Sequence, residues 1–257
     1  MYNQAVPVLT KRFENLNISI ARKFSGKKVQ TETYYPESDG LPMAESTIHY
    51  DLIVKIKENL EILYADNSDV FIAGDLLWYP VENEIKSYGP DVMVIFGRPK
   101  GSRSSYLQWK EGNIAPQVIF EIRSPGNTNK DMKNKLDFYE LYGVKEYYVY
   151  DYTRNKFEAW IRHTNRLNQV GKAEITNWIS PKLNIRFEVT ETLNLYYPDG
   201  RKFTSTLELE SFRKSAEKNL EKEKQRAKKE KLRAEKEKQR ADILEAKLKA
   251  LELKLGK

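Results

Sequence analysis

The stretch from Pro116 to Asp151 limits the possible folds of this chain more than any other segment. Residues 118–122 are a short run that is mostly apolar and is followed by Ser124-Pro125-Gly126, a pattern typical of a buried strand and a turn. A helical segment comes next, and a second strand is indicated over residues 146–150. The stretch therefore predicts strand, turn, helix, turn and strand in succession.

One charged residue, Glu121, interrupts the first of these strands. A buried carboxylate is unfavourable unless it is paired or binds a metal, so Glu121 requires a partner. Side chains alternate along a strand, which puts Arg123 on the same face as Glu121. In the helix, Asp131, Lys135 and Tyr139 follow one another at intervals of four residues and therefore share one face.

The net charge of +7 is concentrated at the two ends of the chain. Residues 211–257 contain 17 Lys and Arg against 9 Asp and Glu, and residues 1–33 contain 6 against 2. The segment between them, residues 34–210, therefore has a net charge of −5. The high isoelectric point is thus poor evidence for a nucleic-acid surface on the globular part, and this balance favours a cation site over a preformed phosphate groove.

Missing residue types exclude several classes of site. Without cysteine there is no disulfide framework, no thiolate nucleophile and no Cys-ligated zinc. His49 and His163 are too few and too far apart to indicate a zinc cluster, whereas oxygen-ligated metals remain possible. No apolar run approaches the roughly 20 residues that span a bilayer, and no secretory signal is present. We therefore expect a soluble, cytoplasmic protein with no membrane segment.

The pattern divides the chain into three parts: a flexible basic arm (1–33), a globular domain (34–206) and a charged helix (207–257). Within the globular part, apolar residues at intervals of three and four predict an amphipathic helix from Glu45 to about Tyr64. A surface loop is predicted at 98–113. Further strands are predicted at 69–73, 76–79, 91–96, 155–162, 166–170, 173–178 and 184–188.

The C-terminal helix contains three nearly identical heptads that begin at Glu221. Only its last two heptads have an apolar seam, formed by Leu244, Leu248, Leu251 and Leu255. The middle of the helix is expected to be solvated, whereas its end predicts a coiled coil and a homo-oligomer. Nucleic-acid binding by this tail stays open, although the interspersed glutamates weaken it.

Asp91, which follows Pro90, and the sequence Glu121-Ile122-Arg123 form the constellation of greatest chemical interest. Two carboxylates on neighbouring strands repel each other unless a cation lies between them, and Mg²⁺ with its waters meets that need. Such a metal can position water for phosphate hydrolysis, with a nearby Lys or Arg to stabilise the developing charge. The alternative is structural: Asp91 is a turn residue, and Glu121 is paired with Arg123 or Lys135.

At this point the chain resembles the Uma-two family of restriction-endonuclease-like proteins, which belongs to the PD-(D/E)XK superfamily and is abundant in cyanobacteria. The resemblance spans roughly residues 34–165, and the charged tail is similar to tails in this group. It rests on Ser38-Asp39-Gly40, Pro42-Met43-Ala44-Glu45, Gly74-Asp75-Leu76-Leu77-Trp78, Pro90-Asp91-Val92-Met93-Val94, Phe120-Glu121-Ile122-Arg123-Ser124-Pro125, Asp131, Lys135, Tyr139, Gly143-Val144, Glu146-Tyr147-Tyr148 and Asp151.

The resemblance implies an α/β fold with a restriction endonuclease-like core at 34–206, in which a central mixed β-sheet is flanked by helices. It implies that Asp91 and Glu121 bind the metal and that Glu45 completes the site, although Glu45 also suits a helix start. The superfamily pattern has Lys where this chain has Arg123, and arginine cannot act as a base. Lys135 matches a lysine that the family keeps on the following helix.

The leading hypothesis is therefore an endonuclease that hydrolyses DNA phosphodiester bonds with Mg²⁺ or Mn²⁺ as cofactor. Asp91 and Glu121 hold the metal, Lys135 is the functional cation and Arg123 is a helper or a structural partner. Tyr139 is interpreted as a core residue. The competing hypothesis is a non-catalytic module that keeps the fold and the acidic pocket, binds nucleic acid or protein, and assembles through its C-terminal helix.

Overall fold

The computed structural model describes residues 33–38 and 46–255. Its first helix, α1 (Thr47–Leu63), is capped at its N-terminus by Ser46, whose hydroxyl accepts a hydrogen bond from the His49 backbone N–H at 3.2 Å. The other elements are β1 (Val70–Gly74), β2 (Trp78–Tyr79), β3 (Val92–Phe96), β4 (Tyr106–Leu107), a 3₁₀ turn (Gln108–Glu111), β5 (Val118–Arg123), α2 (Asn129–Leu141), β6 (Glu146–Asp151), β7 (Lys156–His163), β8 (Arg166–Gln169), β9 (Arg186–Val189), β10 (Leu193–Tyr196) and α3 (Thr206–Leu255).

Six strands form the central sheet, in the order β1-β3-β5-β6-β7-β8. β5 and β6 are parallel and are joined through α2, whereas the other neighbouring pairs are antiparallel. A parallel pair needs a crossover connection, and the helix predicted between these two strands provides it. The α/β class, the central mixed sheet and the strand–helix–strand unit are therefore confirmed.

Different elements cover the two faces of the sheet. On one face, α1 and the β9–β10 hairpin pack over Phe120 and Ile122 of β5. On the other face, α2 and the β2–β4 pair bury an aromatic cluster. Its largest members are Trp78, Tyr106, Phe138, Tyr139 and Tyr147. Because side chains alternate along β5, Ile119 and Glu121 point to the α2 face, and Glu121 enters this aromatic layer.

Two buried polar residues tie the C-terminal strands to the rest of the fold. The Asn59 amide of α1 donates to the backbone oxygens of Lys55 and Thr204, at 2.7 and 2.8 Å, and its oxygen accepts from the Tyr197 hydroxyl at 2.8 Å. The second residue is Glu146, at the start of β6. Both side chains are almost completely removed from solvent, so their hydrogen bonds are required to satisfy them.

The Glu146 carboxylate accepts three hydrogen bonds. They come from the Tyr148 hydroxyl at 2.7 Å, the Lys182 backbone N–H at 2.7 Å and the Ser180 hydroxyl. Burial raises the pKa of Glu146 above its ordinary value, and these hydrogen bonds oppose the rise without cancelling it. Glu146 therefore joins β6 to the segment before β9 at an electrostatic cost.

The C-terminal residues form one continuous helix, α3, as the sequence predicts. Its first turn is attached to α1, because the Thr206 hydroxyl donates to the Glu58 carboxylate at 2.6 Å and Lys55 lies 3.9 Å from Glu208. From residue 211 its side chains are exposed as far as residue 251, the last whose side chain is described. Over the described parts of the chain, no helix is both long and apolar enough to cross a membrane.

Several local predictions are wrong. Residues 173–178 form turns instead of a strand, since the N–H groups of Glu174 and Ile175 bond back to the Gly171 carbonyl. The strand β10 was not predicted. The loop predicted at 98–113 contains β4 and a 3₁₀ turn, because the Tyr106 side chain is fully buried and its hydroxyl donates to the Ile114 carbonyl. The arm predicted at 1–33 lies outside the described residues, except for residue 33.

Candidate active site

Asp91 immediately precedes β3 and is fixed to the neighbouring strand. Its Oδ2 atom accepts a hydrogen bond from the Ile122 backbone N–H at 2.5 Å, which joins the entrance of β3 to the end of β5. The same oxygen lies 3.4 Å from Nε2 of His49, in the first turn of α1. The Asp91 side chain is 13 % exposed, so a small part of it remains accessible to solvent.

Glu121 projects from β5 towards α2 and is 3 % exposed. Its Oε2 lies 2.6 Å from Nζ of Lys135, and its Oε1 accepts a hydrogen bond from the Tyr139 hydroxyl at 2.5 Å. Lys135 and Tyr139 are four residues apart on α2, one helical turn, and therefore reach the same carboxylate from one face. The helix supplies the partner that the buried charge requires.

Asp91 lies near Glu121 along β5, because it accepts its hydrogen bond from the backbone N–H of the next residue, Ile122. Burial raises the pKa of Glu121 to about 7, Lys135 opposes this rise and the negative charge of Asp91 adds to it. For Lys135, burial lowers the pKa, but Glu121 and Asp91 raise it by more, so the pKa lies above its ordinary value. Lys135 is therefore an ammonium ion at neutral pH, and Asp91 and Glu121 repel each other.

Arg123, two residues after Glu121, is held by the turn that leads into α2. Its guanidinium donates to Oδ1 of Asn129 at 2.6 Å and to the Asn127 carbonyl at 3.2 Å, and it lies 4.0 Å from Asp151. These contacts join β5, the turn and the end of β6. Lys135, not Arg123, is the cation in contact with the Glu121 carboxylate.

The start of α2 is fixed by a reciprocal cap. The Thr128 hydroxyl accepts from the Asp131 backbone N–H at 3.2 Å, and the Asp131 carboxylate accepts from the Thr128 N–H at 3.0 Å. Asp131 shares a helix face with Lys135 in the sequence pattern, but its carboxylate is used in this cap. The cap defines where the helix begins and hence which residues face Glu121.

The comparison with protein families decides where this chain belongs. Residues 39–196 match the model of the Uma2 family, whose description is "Putative restriction endonuclease". The chain belongs to the Uma2 family. This membership confirms the resemblance and supports a nuclease-like function.

The Uma2 chain is also similar to a solved structure, described as a putative nuclease belonging to DUF820 from Anabaena variabilis. The two share 13 % sequence identity with a TM-score of 0.41, and the similarity covers 55 % of this chain and 74 % of the other. None of the curated proteins matches this chain.

Two residues at the candidate site have contacts that the sequence does not predict. Tyr139 is a core residue, as interpreted, but it also donates a hydrogen bond to Glu121. His49 is not among the predicted site residues, yet its imidazole lies against Asp91. The sequence places His49 in the first turn of a helix but does not indicate which strand that turn approaches. It is therefore only a weak signal for the contact with Asp91. Glu45 lies outside the described residues.

The donor set suits a hard divalent cation. Asp91 and Glu121 offer carboxylate oxygens, the ligands that Mg²⁺ and Mn²⁺ prefer, and a cation between them would relieve the repulsion that helps to raise the Glu121 pKa. Among the described residues, no group of three or more His, Cys, Asp or Glu is arranged around a metal position. A cation bound by these two carboxylates would compete with Lys135 and Tyr139 for the oxygens of Glu121 and would take its remaining ligands from water.

Proposed function

We propose that this chain is an endonuclease that hydrolyses DNA phosphodiester bonds and depends on Mg²⁺, for which Mn²⁺ can substitute. The observation that carries the proposal is the Lys135 ammonium 2.6 Å from the buried Glu121 carboxylate, beside Asp91. A chain with Glu-x-Arg lacks the strand lysine of related nucleases, and this contact provides a cation from the neighbouring helix. The family description supports the nuclease class.

In this mechanism Asp91 and Glu121 would hold the metal, with Glu45 as a third acidic ligand. When bound, the metal supplies positive charge and an ordered water beside the scissile phosphate. Lys135 has a raised pKa and stays protonated, so it acts as a hydrogen-bond donor and not as a general base. It orients the attacking water and stabilises the negative charge that develops on the phosphate.

Supporting residues hold this arrangement in place. Tyr139 fixes one oxygen of Glu121, and the backbone N–H of Ile122 fixes one oxygen of Asp91. Arg123 serves as a helper whose permanent charge lies at the end of β5, while its bonds to Asn127 and Asn129 keep the turn closed. We further propose a cytoplasmic protein that self-associates through the end of α3.

A second function is favoured by one feature of Glu121. Both of its oxygens already accept a hydrogen bond or ion pair, from Tyr139 and Lys135. Such a satisfied carboxylate is also what a nuclease-fold module without catalytic activity would contain. That module would bind nucleic acid or protein without cleaving it.

Plasmid cleavage in Mg²⁺ or Mn²⁺ tests the proposal. We expect the wild type to nick or linearise plasmid, and we expect Asp91→Ala and Glu121→Ala to be inactive. Lys135→Gln removes the charge but keeps a donor, and should lower the rate by about 10²–10³-fold. The matched control is Lys133→Gln on the same helix, because Lys133 is exposed and pairs with Asp137. This control should cleave at the wild-type rate.

Binding measurements distinguish the two functions. In calorimetric titration with Mn²⁺, the nuclease should bind the ion, and the Asp91→Ala variant should bind it much more weakly. A wild type that binds plasmid but neither cleaves it nor takes up Mn²⁺ would support the non-catalytic module. Cleavage that persists in both carboxylate variants would show that the activity resides elsewhere or in a contaminant.

A further inference from the structure

The end of α3 presents an apolar stripe to solvent. Leu244, Leu248 and Leu251 are 66, 60 and 57 % exposed, although residues of this type are usually buried. Their spacing of four and then three residues places Leu248 at heptad position a and the other two at d. A stripe with this spacing on one long helix is suited to pack against a second helix of the same kind.

The charged residues beside the stripe indicate which helix is the partner and whether the two helices are parallel or antiparallel. Positions g are occupied by Arg240 and Lys247, and positions e by Glu245 and, in the sequence, Glu252. In a parallel pair, each g residue faces the e residue five positions later on the partner helix, so Arg240 meets Glu245 and Lys247 meets Glu252. In an antiparallel pair, g faces g and e faces e, which would juxtapose like charges.

We propose that residues 241–255 form a parallel, in-register, two-stranded coiled coil with a second copy of this chain. Self-complementarity of the g and e charges selects the same sequence as partner, and it selects the parallel direction. The seam stops upstream of residue 241, because Glu223, Glu230 and Glu237 occupy the d positions there. Arg and Lys at the g and e positions of those heptads would also repel in either orientation.

The geometry of α3 gives this contact a structural consequence. The 35 residue steps from Thr206 to Ala241 span about 52 Å at 1.5 Å per step. A parallel pair places both globular domains beyond the same end of the coil, whereas an antiparallel pair would place them at opposite ends. If the proposed nuclease function is correct, a parallel dimer would therefore carry its two candidate sites at the same end of the coil.

Disulfide trapping tests the orientation, and the absence of cysteine from the chain makes the test clean. Leu244→Cys and Leu251→Cys each place a thiol at a d position, where identical residues face each other only in a parallel, in-register pair. The control, Ala246→Cys, places the thiol at position f on the outer side. Under oxidising conditions we expect covalent dimers from both d variants and not from the control. Cross-linking at neither d position, or equally at all three positions, would overturn the proposal.

Sedimentation tests the charge rule in the uncrosslinked full-length chain. Two apolar heptads form a short coil, so the wild type should shift from monomer to dimer across about a hundredfold range of concentration. Arg240→Glu with Lys247→Glu should weaken dimerisation by at least about tenfold. Mixing this variant with one carrying Glu245→Lys and Glu252→Lys should restore the dimer. A wild type that remains monomeric throughout would refute the coil, and neither assay depends on DNA cleavage.

Discussion

The hydrogen bond between Tyr139 and Glu121 leads to a prediction with a built-in control. Tyr139→Phe removes the donor to a buried carboxylate but keeps the ring, which stacks on Trp78 at an interplanar angle of 7°. Tyr147 lies in the same aromatic cluster, with its ring centroid 5.1 Å from that of Tyr139. Its hydroxyl is also buried, but within the described part of the chain it has no hydrogen-bond partner. Tyr139→Phe and Tyr147→Phe therefore each remove a buried hydroxyl from the same aromatic cluster, but only the hydroxyl of Tyr139 is hydrogen-bonded.

The expected free energies differ accordingly. A hydrogen bond to a charged group contributes about 1.5–3 kcal/mol, and its loss leaves one oxygen of Glu121 unsatisfied. Tyr139→Phe should therefore lower the free energy of unfolding by about 1.5–3 kcal/mol, which corresponds to a fall of about 3–12 °C in Tm. Tyr147→Phe deletes a hydroxyl that is desolvated without compensation, so it should be neutral within about 0.5 kcal/mol or slightly stabilising.

Urea unfolding followed by circular dichroism, in EDTA and at one pH above 7 so that Glu121 is ionised, measures both values. Equal destabilisation by the two substitutions would show that packing around the hydroxyl, and not the bond to Glu121, sets the stability of this layer. Mn²⁺ binding distinguishes an effect on the orientation of Glu121 from an effect on the stability of the fold. Tyr139→Phe should weaken Mn²⁺ binding at temperatures where the variant remains folded, and Tyr147→Phe should not.

Two more predictions concern the buried polar groups outside the site. The stability of Glu146→Gln relative to the wild type should increase as pH rises from 4.5. The pKa of Glu146 is raised in the folded state, so the wild type loses stability as this group ionises. Chemical unfolding of both proteins between pH 4.5 and 8 measures the trend, and a difference that stays constant with pH would contradict it. Asn59→Ala should lower the free energy of unfolding by about 2–4 kcal/mol, because the hydrogen bonds to Lys55, Thr204 and Tyr197 are lost together. Tyr197→Phe removes one of these bonds and should lower it by about 1 kcal/mol. Similar values for the two variants would show that the hydrogen bonds of Asn59 do not add up in this way.

The local signals in the sequence were sufficient to predict the strand–helix–strand unit at the centre of the fold. Glu121 stands in an apolar run and Lys135 lies on the next helix, so a pairing between strand and helix could be predicted from spacing and from the cost of a buried charge. The hydroxyl bond of Tyr139 to the same carboxylate depends on how α2 sits over β5 to within a fraction of a helical turn. Periodicity does not specify that.

The sequence pattern does not predict contacts between segments that are distant in the chain. His49 and Asp91 meet because α1 crosses the sheet beside the entrance of β3, and no local feature of either segment indicates that crossing. The direction of Arg123 depends on its side-chain rotamer, whereas alternation along the strand defines only the face. The strand at 193–196 was missed because only four residues, held by their partner β9, form it.

The position of the site groups along the chain has a consequence for how the protein folds. Lys135 and Tyr139 follow Glu121 by 14 and 18 residues, and Ile122 follows the carboxylate that it anchors, Asp91, by 31 residues. Because the entropy of loop closure grows only with the logarithm of length, a loop of 31 residues is about 0.5 kcal/mol less favourable than one of 18. The strands and the helix from Asp91 to Asp151 therefore bring these groups together by contacts that span at most 31 residues of the 257-residue chain, and smaller sequence separations favour faster folding.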